Sequence, residues 1–219
     1  MHDQGIVHGD LKGVCFRTRC RPPAPGLPDP KANILINHSG RACLADFSLL
    51  TTASDQSTII STCIEGGTIQ WMSPELLHPE DFGLKKTRPT KESDCYALGM
   101  VVYEVLSGRT PFAPAKAIVV ISKVLEGHRP ERPHGEQGKL FTDAIWEVLG
   151  LCWKHEPSDR PSARVVLQRL EGTPSPLRPF SDVDEVVETD TDQSDATASD
   201  SGILSLFRLG SLAHSRSSL

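Results

Sequence analysis

The sequence lacks the features that would place it in a membrane, in the secretory pathway or on nucleic acid. No apolar run reaches the ~18 residues that a membrane-spanning helix needs. No basic stretch followed by an apolar core opens the chain, as it would in a secretory signal peptide. Lys and Arg form no basic patch of the kind that binds nucleic acid. We therefore expect no membrane partner, no nucleic-acid partner, and a cytoplasmic or nuclear protein.

The cysteines also lack the spacing of a metal site. Six are present, and none belongs to a CxxC pair or accompanies a paired His spacing; they are residues 15, 20, 43, 63, 95 and 152. Zinc binding is therefore not expected, and reduced thiols are the simplest interpretation.

Charge divides the chain into two parts. Residues 181–219 hold eight acidic residues against Arg208 and Arg216, whereas the rest of the chain is close to neutral. The acidic part is rich in Ser and Thr and has little apolar surface to bury, so disorder is predicted there. We expect one folded domain over residues 1–171 and a disordered, acidic Ser/Thr-rich tail over residues 172–219.

Hydrophobic patterning predicts an α+β domain that is predominantly α. Residues 33–36 and 42–44 are predicted as two short strands of a β-hairpin. Helices are predicted over residues 91–107, 115–125, 140–152 and 162–170. Gly108 is expected to end the first of these helices, and Ser162 or Asp159 to cap the last.

The stretch His8–Lys12, HGDLK, carries the chemistry that the rest of the chain supports. A loop carboxylate and a lysine two residues apart can face one phosphoryl-transfer centre. The carboxylate would orient and deprotonate a hydroxyl, and the ammonium would neutralise charge on the transferred phosphate. Five further segments follow in order: NILI (33–36), ADFS (45–48), GTIQWMSPE (67–75), SDCYALG (93–99) and LCWKHEPSDRP (151–161).

This order of segments resembles the C-terminal lobe of eukaryotic protein kinases over residues 1–171. The likeness is greatest to the serine/threonine, tyrosine-kinase-like group, and within it to the HGDLKG-type domains of mushroom-forming fungi. The resemblance implies ATP and Mg²⁺ as cofactors and a protein substrate that carries Ser or Thr.

The resemblance also implies a role for individual residues. Asp10 would be the catalytic base and Lys12 the phosphate-contacting lysine, and Thr68 would favour Ser or Thr acceptors over Tyr. Asn33 and Asp46 would be magnesium ligands, and together with Leu35 they would contribute to the nucleotide site. Glu75 and Arg160 would form a buried ion pair. Asp94 would hold the backbone of the catalytic loop.

Four departures from the family pattern stand out. Only nine residues precede Asp10, so the N-terminal lobe, with its glycine-rich loop, strand lysine and partner glutamate, is missing from these 219 residues. Asn33 lies 18 residues further from Asp10 than in the family. Gly9 replaces the usual arginine, so control through an activation-loop phosphate is not expected. Ser48 replaces the glycine after Asp46-Phe47, which stiffens the hinge without removing a metal ligand.

Residues 14–31 account for the displaced asparagine. They are rich in Pro and Arg and show no periodicity, and their deletion gives the uninterrupted loop HGDLKGANILI. Valine codons begin with GT and one lysine codon is AAG, so the segment has permissible intron boundaries. Two interpretations stand: a retained intron translated in frame, or a genuine loop insertion whose ends meet.

Two functions are compatible with these residues. The first is a Ser/Thr protein kinase of which these residues are a part, inactive without the missing lobe. The second is a non-catalytic, pseudokinase-type module that presents its helical face to a partner. The retained Asp10, Lys12, Asn33 and Asp46 favour the first, and the missing lobe favours the second.

Overall fold

The structure is a computed structural model, and it describes residues 1–16, 32–36, 41–46, 63 and 67–172. The predicted tail beyond residue 172, the hairpin turn, Phe47 and Ser48 lie outside these residues, as does most of segment 14–31. None of the helices in the described part of the chain is long and apolar enough to cross a lipid bilayer.

Helices dominate the described residues, which confirms the predicted predominantly helical α+β composition. They are α1 (Pro74–Leu77), α2 (Lys91–Ser107), α3 (Ala117–Leu125), α4 (Gly135–Gly138), α5 (Asp143–Cys152) and α6 (Ala163–Glu171). Single 3₁₀ turns lie at His2–Gln4, Ile69–Trp71, Pro79–Phe82 and Pro157–Asp159.

The sheet has three strands, one more than the predicted hairpin. They are β1 (Val14–Phe16), β2 (Ile34–Ile36) and β3 (Ala42–Leu44), in that spatial order. The predicted hairpin is present as the antiparallel pair β2–β3, with Ile34 opposite Leu44. β1 pairs in parallel with β2, Val14 opposite Ile34, so three residues of the segment predicted as an irregular insertion form a strand. Three residues are too few for strand periodicity to show in the sequence.

The longest helix, α2, begins and ends where the sequence predicted. Thr90 and Ser93 form a reciprocal capping box at its start, in which each side chain accepts from the other residue's backbone N–H. Gly108 follows the last turn at φ 65° and its N–H donates to the carbonyl of Glu104, an αL C-cap that glycine adopts without strain.

The other predicted helices differ from the structure mainly at their starts. α3 begins two residues later than predicted and α5 three residues later, because Thr142 caps α5 by accepting from the N–H of Ile145. Ser162 caps α6, whereas Asp159 lies in the preceding 3₁₀ turn, so the alternative cap was wrong. The short α4 was not predicted, since its four residues contain two glycines.

Helix α2 forms the centre of the core. Tyr96, Met100 and Val101 are completely or almost completely buried on it. At Gly99 a Cβ atom would lie 2.8 Å from the Cβ of Cys152 in α5, so the absent side chain lets the two helices approach closely. The N-terminal half of α2 is therefore held firmly in the core, and the loop His8–Lys12 packs against it.

Candidate functional site

The loop His8–Lys12 is fixed to the first turn of α2 by one carboxylate. Asp94 is 2% exposed. Its two oxygens each accept a backbone N–H at 2.8 Å, from His8 and from Gly9. The Nε2 atom of His2 lies 2.9 Å from the same carboxylate. Asp94 therefore holds the loop backbone, as the resemblance implied. Its negative charge is also favourable at the N-terminus of α2.

Gly9 has a backbone conformation that explains its identity. Its φ is 79°, in the left-handed region that costs an ordinary L-residue roughly 1–2 kcal/mol. This conformation turns the N–H groups of His8 and Gly9 toward the single carboxylate of Asp94. A residue with a side chain would carry this cost in the same backbone conformation, whereas glycine does not.

His8 is a packed histidine beneath the loop and is 3% exposed. Its Nδ1 atom accepts from the backbone N–H of Asp10, at 3.3 Å. The proton of a neutral ring is then on Nε2, which lies 3.0 Å from the carbonyl oxygen of Ala45 and donates to it. The ring thus joins the loop to the chain that leaves β3.

Four predicted residues meet in one buried group at the end of this loop. Asn33 donates its amide to the carboxylate oxygen Oδ2 of Asp10 at 2.6 Å and to the Asp10 carbonyl at 2.7 Å. The ammonium of Lys12 lies 2.9 Å from the same Oδ2 and donates to the hydroxyl of Thr68 at 2.9 Å. All four side chains are buried. The segment 14–31 therefore does not prevent Asn33 from reaching the loop.

Both contacts to the Asp10 carboxylate use one of its oxygens. No residue in the described ranges donates a hydrogen bond to the other oxygen, Oδ1. A carboxylate whose position is fixed through one oxygen can accept a proton or a hydrogen bond through the other. The arrangement suits a base that must orient a hydroxyl.

The hairpin brings the two predicted metal ligands to the same end of the sheet. Asn33 precedes β2 and Asp46 follows β3, and the N–H of Ala45 donates to the carbonyl of Asn33 at 2.8 Å. Asp46 is exposed and adopts φ 60°, a conformation that Asp tolerates better than most residues. Leu35, half-buried in β2, lies two residues further along the strand.

The predicted ion pair between Glu75 and Arg160 is present and buried. The guanidinium donates to both carboxylate oxygens, at 2.6 and 2.7 Å. It also donates to the backbone carbonyls of Lys154, His155 and Glu92. This bidentate contact fixes α1, and with it the segment that carries Thr68, to the turn before α6.

Glu104 is a residue of the site that was not expected from the sequence. It lies on α2 among apolar residues, and its carboxylate accepts from the indole N–H of Trp71 at 3.0 Å. Burial raises the pKa of Glu104 to about 7, although hydrogen bonds from Trp71 and from the backbone of Gly13 lower it. Glu104 thus joins the end of the loop His8–Lys12 to the segment after Thr68. The one sequence signal was an acid within an otherwise buried helix.

Replacing Glu104 with glutamine should remove a pH dependence of stability. In the unfolded chain this carboxyl titrates near pH 4.5, and in the folded chain near 7. Between these values only the folded state keeps the proton, so the free energy of unfolding falls as the pH rises through this window. Above pH 7, Glu104→Gln should be more stable than the original chain by on the order of 3 kcal/mol, with little difference near pH 4.5.

Urea unfolding of both proteins at pH 5 and pH 8 measures this difference. The exposed Glu147, in a 3.8 Å pair with Arg169 on the next helix, provides a matched control in Glu147→Gln. An equal response of the two variants to pH would contradict the assigned burial of Glu104.

Comparison with known proteins gives matches to protein kinases. Residues 31–170 match the family model described as protein tyrosine and serine/threonine kinase. Curated relatives include a light-sensor protein kinase of Ceratodon purpureus, 31% identical over 183 residues, which cover 78% of this chain and 13% of the relative. Mitogen-activated protein kinase kinase 2 of Arabidopsis thaliana is 26% identical over 174 residues, 76% of this chain and 39% of the relative.

The relatives include tyrosine kinases as well. The cytoplasmic tyrosine-protein kinase BMX of Homo sapiens is 30% identical over 188 residues, which cover 81% of this chain and 25% of the relative. The chain thus spans well under half the length of each of these curated relatives.

Proposed function

This chain belongs to the protein tyrosine and serine/threonine kinase family, and on that basis we propose that its loop His8–Lys12 serves phosphoryl transfer from ATP to Ser or Thr of a protein substrate. The observation that carries the proposal is the group formed by Asp10, Lys12, Asn33 and Thr68. A hydrogen-bonded loop aspartate with a lysine beside it is what the acceptor side of such a reaction requires.

Asp10 acts on the acceptor hydroxyl in this proposal. Its Oδ2 atom is held by Asn33 and Lys12, and its Oδ1 atom receives the hydroxyl and its proton. The ammonium of Lys12 offsets negative charge next to the acceptor, which favours the transition state more than the ground state. Because these side chains are already positioned, little reorganisation accompanies the reaction.

The hydrogen bond from Lys12 to Thr68 supports Ser and Thr as acceptors. It joins the catalytic loop to the segment before the 3₁₀ turn Ile69–Trp71. A loop held this close to Asp10 suits a short aliphatic hydroxyl better than the longer reach of a tyrosine phenol. The family resemblance assigns the same preference to Thr68.

The residues at the end of the hairpin suit Mg²⁺. The amide nitrogen of Asn33 is used on Asp10, so its oxygen is the atom that would serve as a ligand together with the exposed carboxylate of Asp46. Carboxylate and amide oxygens are the hard donors that this ion prefers. When bound, magnesium neutralises charge on the nucleotide phosphates. Leu35 would contact the nucleotide from β2.

These 219 residues alone should transfer no phosphate. They contain no glycine-rich loop followed by a strand lysine, and these elements position ATP in the family. We therefore propose that a nucleotide-binding lobe, in a longer form of the protein or from a partner, completes the site.

One observation favours a second candidate, a non-catalytic pseudokinase-type module. Asp10 and Lys12 are only 4% and 3% exposed and form an ion pair with each other. A buried pair of this kind can also serve only to fix the loop. The two candidates differ in whether a completed site transfers phosphate.

The experiment joins the nucleotide-binding lobe of an active serine/threonine kinase to the N-terminus of this chain. The resulting chimera is given labelled ATP, Mg²⁺ and three peptides that differ only in a central Ser, Thr or Tyr. Transfer to the Ser and Thr peptides, with little to the Tyr peptide and none by the 219 residues alone, is expected.

Two outcomes would contradict the proposal. A chimera that binds ATP, shown by a nucleotide-dependent thermal shift, but labels no peptide would favour the non-catalytic module. Preferential labelling of the Tyr peptide would show that the contact between Lys12 and Thr68 does not set the acceptor.

A further inference from the structure

A basic groove lies at the C-terminal end of α2, whereas the loop His8–Lys12 contacts the N-terminal end of this helix. It has a volume of about 880 Å³ and is bounded by the end of α2, the turn before α3 and residues 128–134. Ser107 at the groove and Asp94 under the loop are 13 positions apart on one helix, which corresponds to roughly 20 Å. The groove is therefore separate from the proposed phosphoryl-transfer site.

Positive charge dominates the lining of this groove. Its basic residues are Arg109, Lys123, His128, Arg129, Arg132 and His134, and Glu131 is its one acidic residue. Two of the arginines are used within the fold. Arg129 donates to the carbonyls of Trp153 and Val124, and Arg132 pairs with Asp143 at 2.7 Å.

Arg109 and Lys123 remain as positive charges directed to the groove. Both are exposed, and within the part of the chain that the structure describes neither forms an ion pair with a carboxylate. The half-buried rings of Tyr103 and Phe112 also line the groove. The chemistry suits a peptide that combines carboxylates with small apolar side chains.

The chain itself contains such a peptide. Residues 181–201 hold eight acidic residues and no Lys, Arg or His. Residues 182–188, DVDEVVE, also contain three valines among four of these acids. Charge and apolar content therefore match the groove in both respects.

The end of α6 brings this segment within reach. Arg169, in the last turn of α6, lies 3.8 Å from Glu147 on α5. Glu147 is one helical turn from Asp143, whose carboxylate contacts Arg132 of the groove. The nine residues 173–181 can span up to roughly 30 Å, whereas the path from Arg169 to Arg132 consists of two side-chain pairs and one helical turn.

We propose that residues 182–188 of this same chain bind in the groove. Their carboxylates pair with Arg109 and Lys123, and their valines contact Tyr103 and Phe112. Attachment of the segment to the same molecule gives it a high effective concentration, so individually weak exposed ion pairs suffice. The interaction weakens as the salt concentration rises.

Zero-length carbodiimide cross-linking of the full 219-residue chain, followed by peptide mapping, tests this proposal. We expect Lys123 to be joined to acids within residues 182–188, in preference to the exposed lysines 85, 86 and 139. Arg109→Glu should reduce this cross-link at least several-fold, and Lys86→Glu, an equal change of charge outside the groove, should not. Adding Glu185→Lys to Arg109→Glu should restore it.

The same cross-linking on an equal mixture of isotope-labelled and unlabelled chain shows whether the segment bound in the groove comes from the same molecule or from a second copy. Cross-links within one isotopic form are expected. Cross-links between the two forms would show that a second copy supplies the segment, which would overturn the proposal. A Lys123 cross-link that is absent, or no more abundant than those of the other exposed lysines, would overturn it as well.

Discussion

Replacing Arg160 with methionine should lower the free energy of unfolding by about 3–5 kcal/mol, because it leaves the Glu75 carboxylate buried without its partner. The Arg160 side chain is fully buried and that of Glu75 is 2% exposed. Methionine fills much of the same space, so the loss measures the missing charge and hydrogen bonds more than a cavity. Three backbone carbonyls that accept from Arg160 also lose their donor.

Urea unfolding measures this loss, and Arg164→Met is its matched control. Arg164 forms an ion pair with Asp3 at the same 2.6 Å distance, but both side chains are about 70% exposed. Exposed pairs contribute little to stability, so Arg164→Met should leave the unfolding midpoint nearly unchanged. Equal effects of the two substitutions would contradict the importance assigned to burial.

A double substitution separates the pair from its surroundings. Glu75→Leu combined with Arg160→Met removes both charges, and replacing a buried pair with apolar residues often costs far less than breaking it. The double variant should therefore be more stable than Arg160→Met alone. If the double variant lost as much stability, relative to the original chain, as the two single variants lose together, Glu75 and Arg160 would contribute independently. That result would contradict the prediction.

Local signals made much of the fold predictable. Thr90 and Gly108 mark the ends of α2 through side-chain capping and a left-handed residue, which depend only on neighbouring residues. The β2–β3 pair also followed from two short apolar runs near each other in the chain. The family resemblance that rests on the order of the short motifs then implied which side chains would meet, including Glu75 with Arg160.

Features that depend on distant residues were not predictable. The pairing of β1 with β2 joins Val14 to Ile34, across a segment without periodicity. Glu104 gained its role from Trp71, 33 positions away, and its raised pKa from burial that no short window of sequence shows. The conformation of Gly9 likewise depends on the carboxylate of Asp94, 85 positions along the chain.

The second large effect is expected at Asp10. Asparagine has nearly the same shape, but its amide cannot take a proton from an acceptor hydroxyl. Removal of a general base typically lowers the rate about 10²–10⁴-fold. Because the substitution leaves the proposed ligands Asn33 and Asp46 unchanged, nucleotide binding should be little affected.

Asp10 is the proposed base of the phosphoryl-transfer site. The most direct test of this role is the initial rate of Ser-peptide phosphorylation by the lobe-completed chimera with and without Asp10→Asn, with the exposed Asp81→Asn as control. We expect Asp10→Asn to lower the rate at least about 100-fold at unchanged affinity for ATP, and Asp81→Asn to leave it unaltered. Equal rates for Asp10→Asn and the original chimera would contradict the claim.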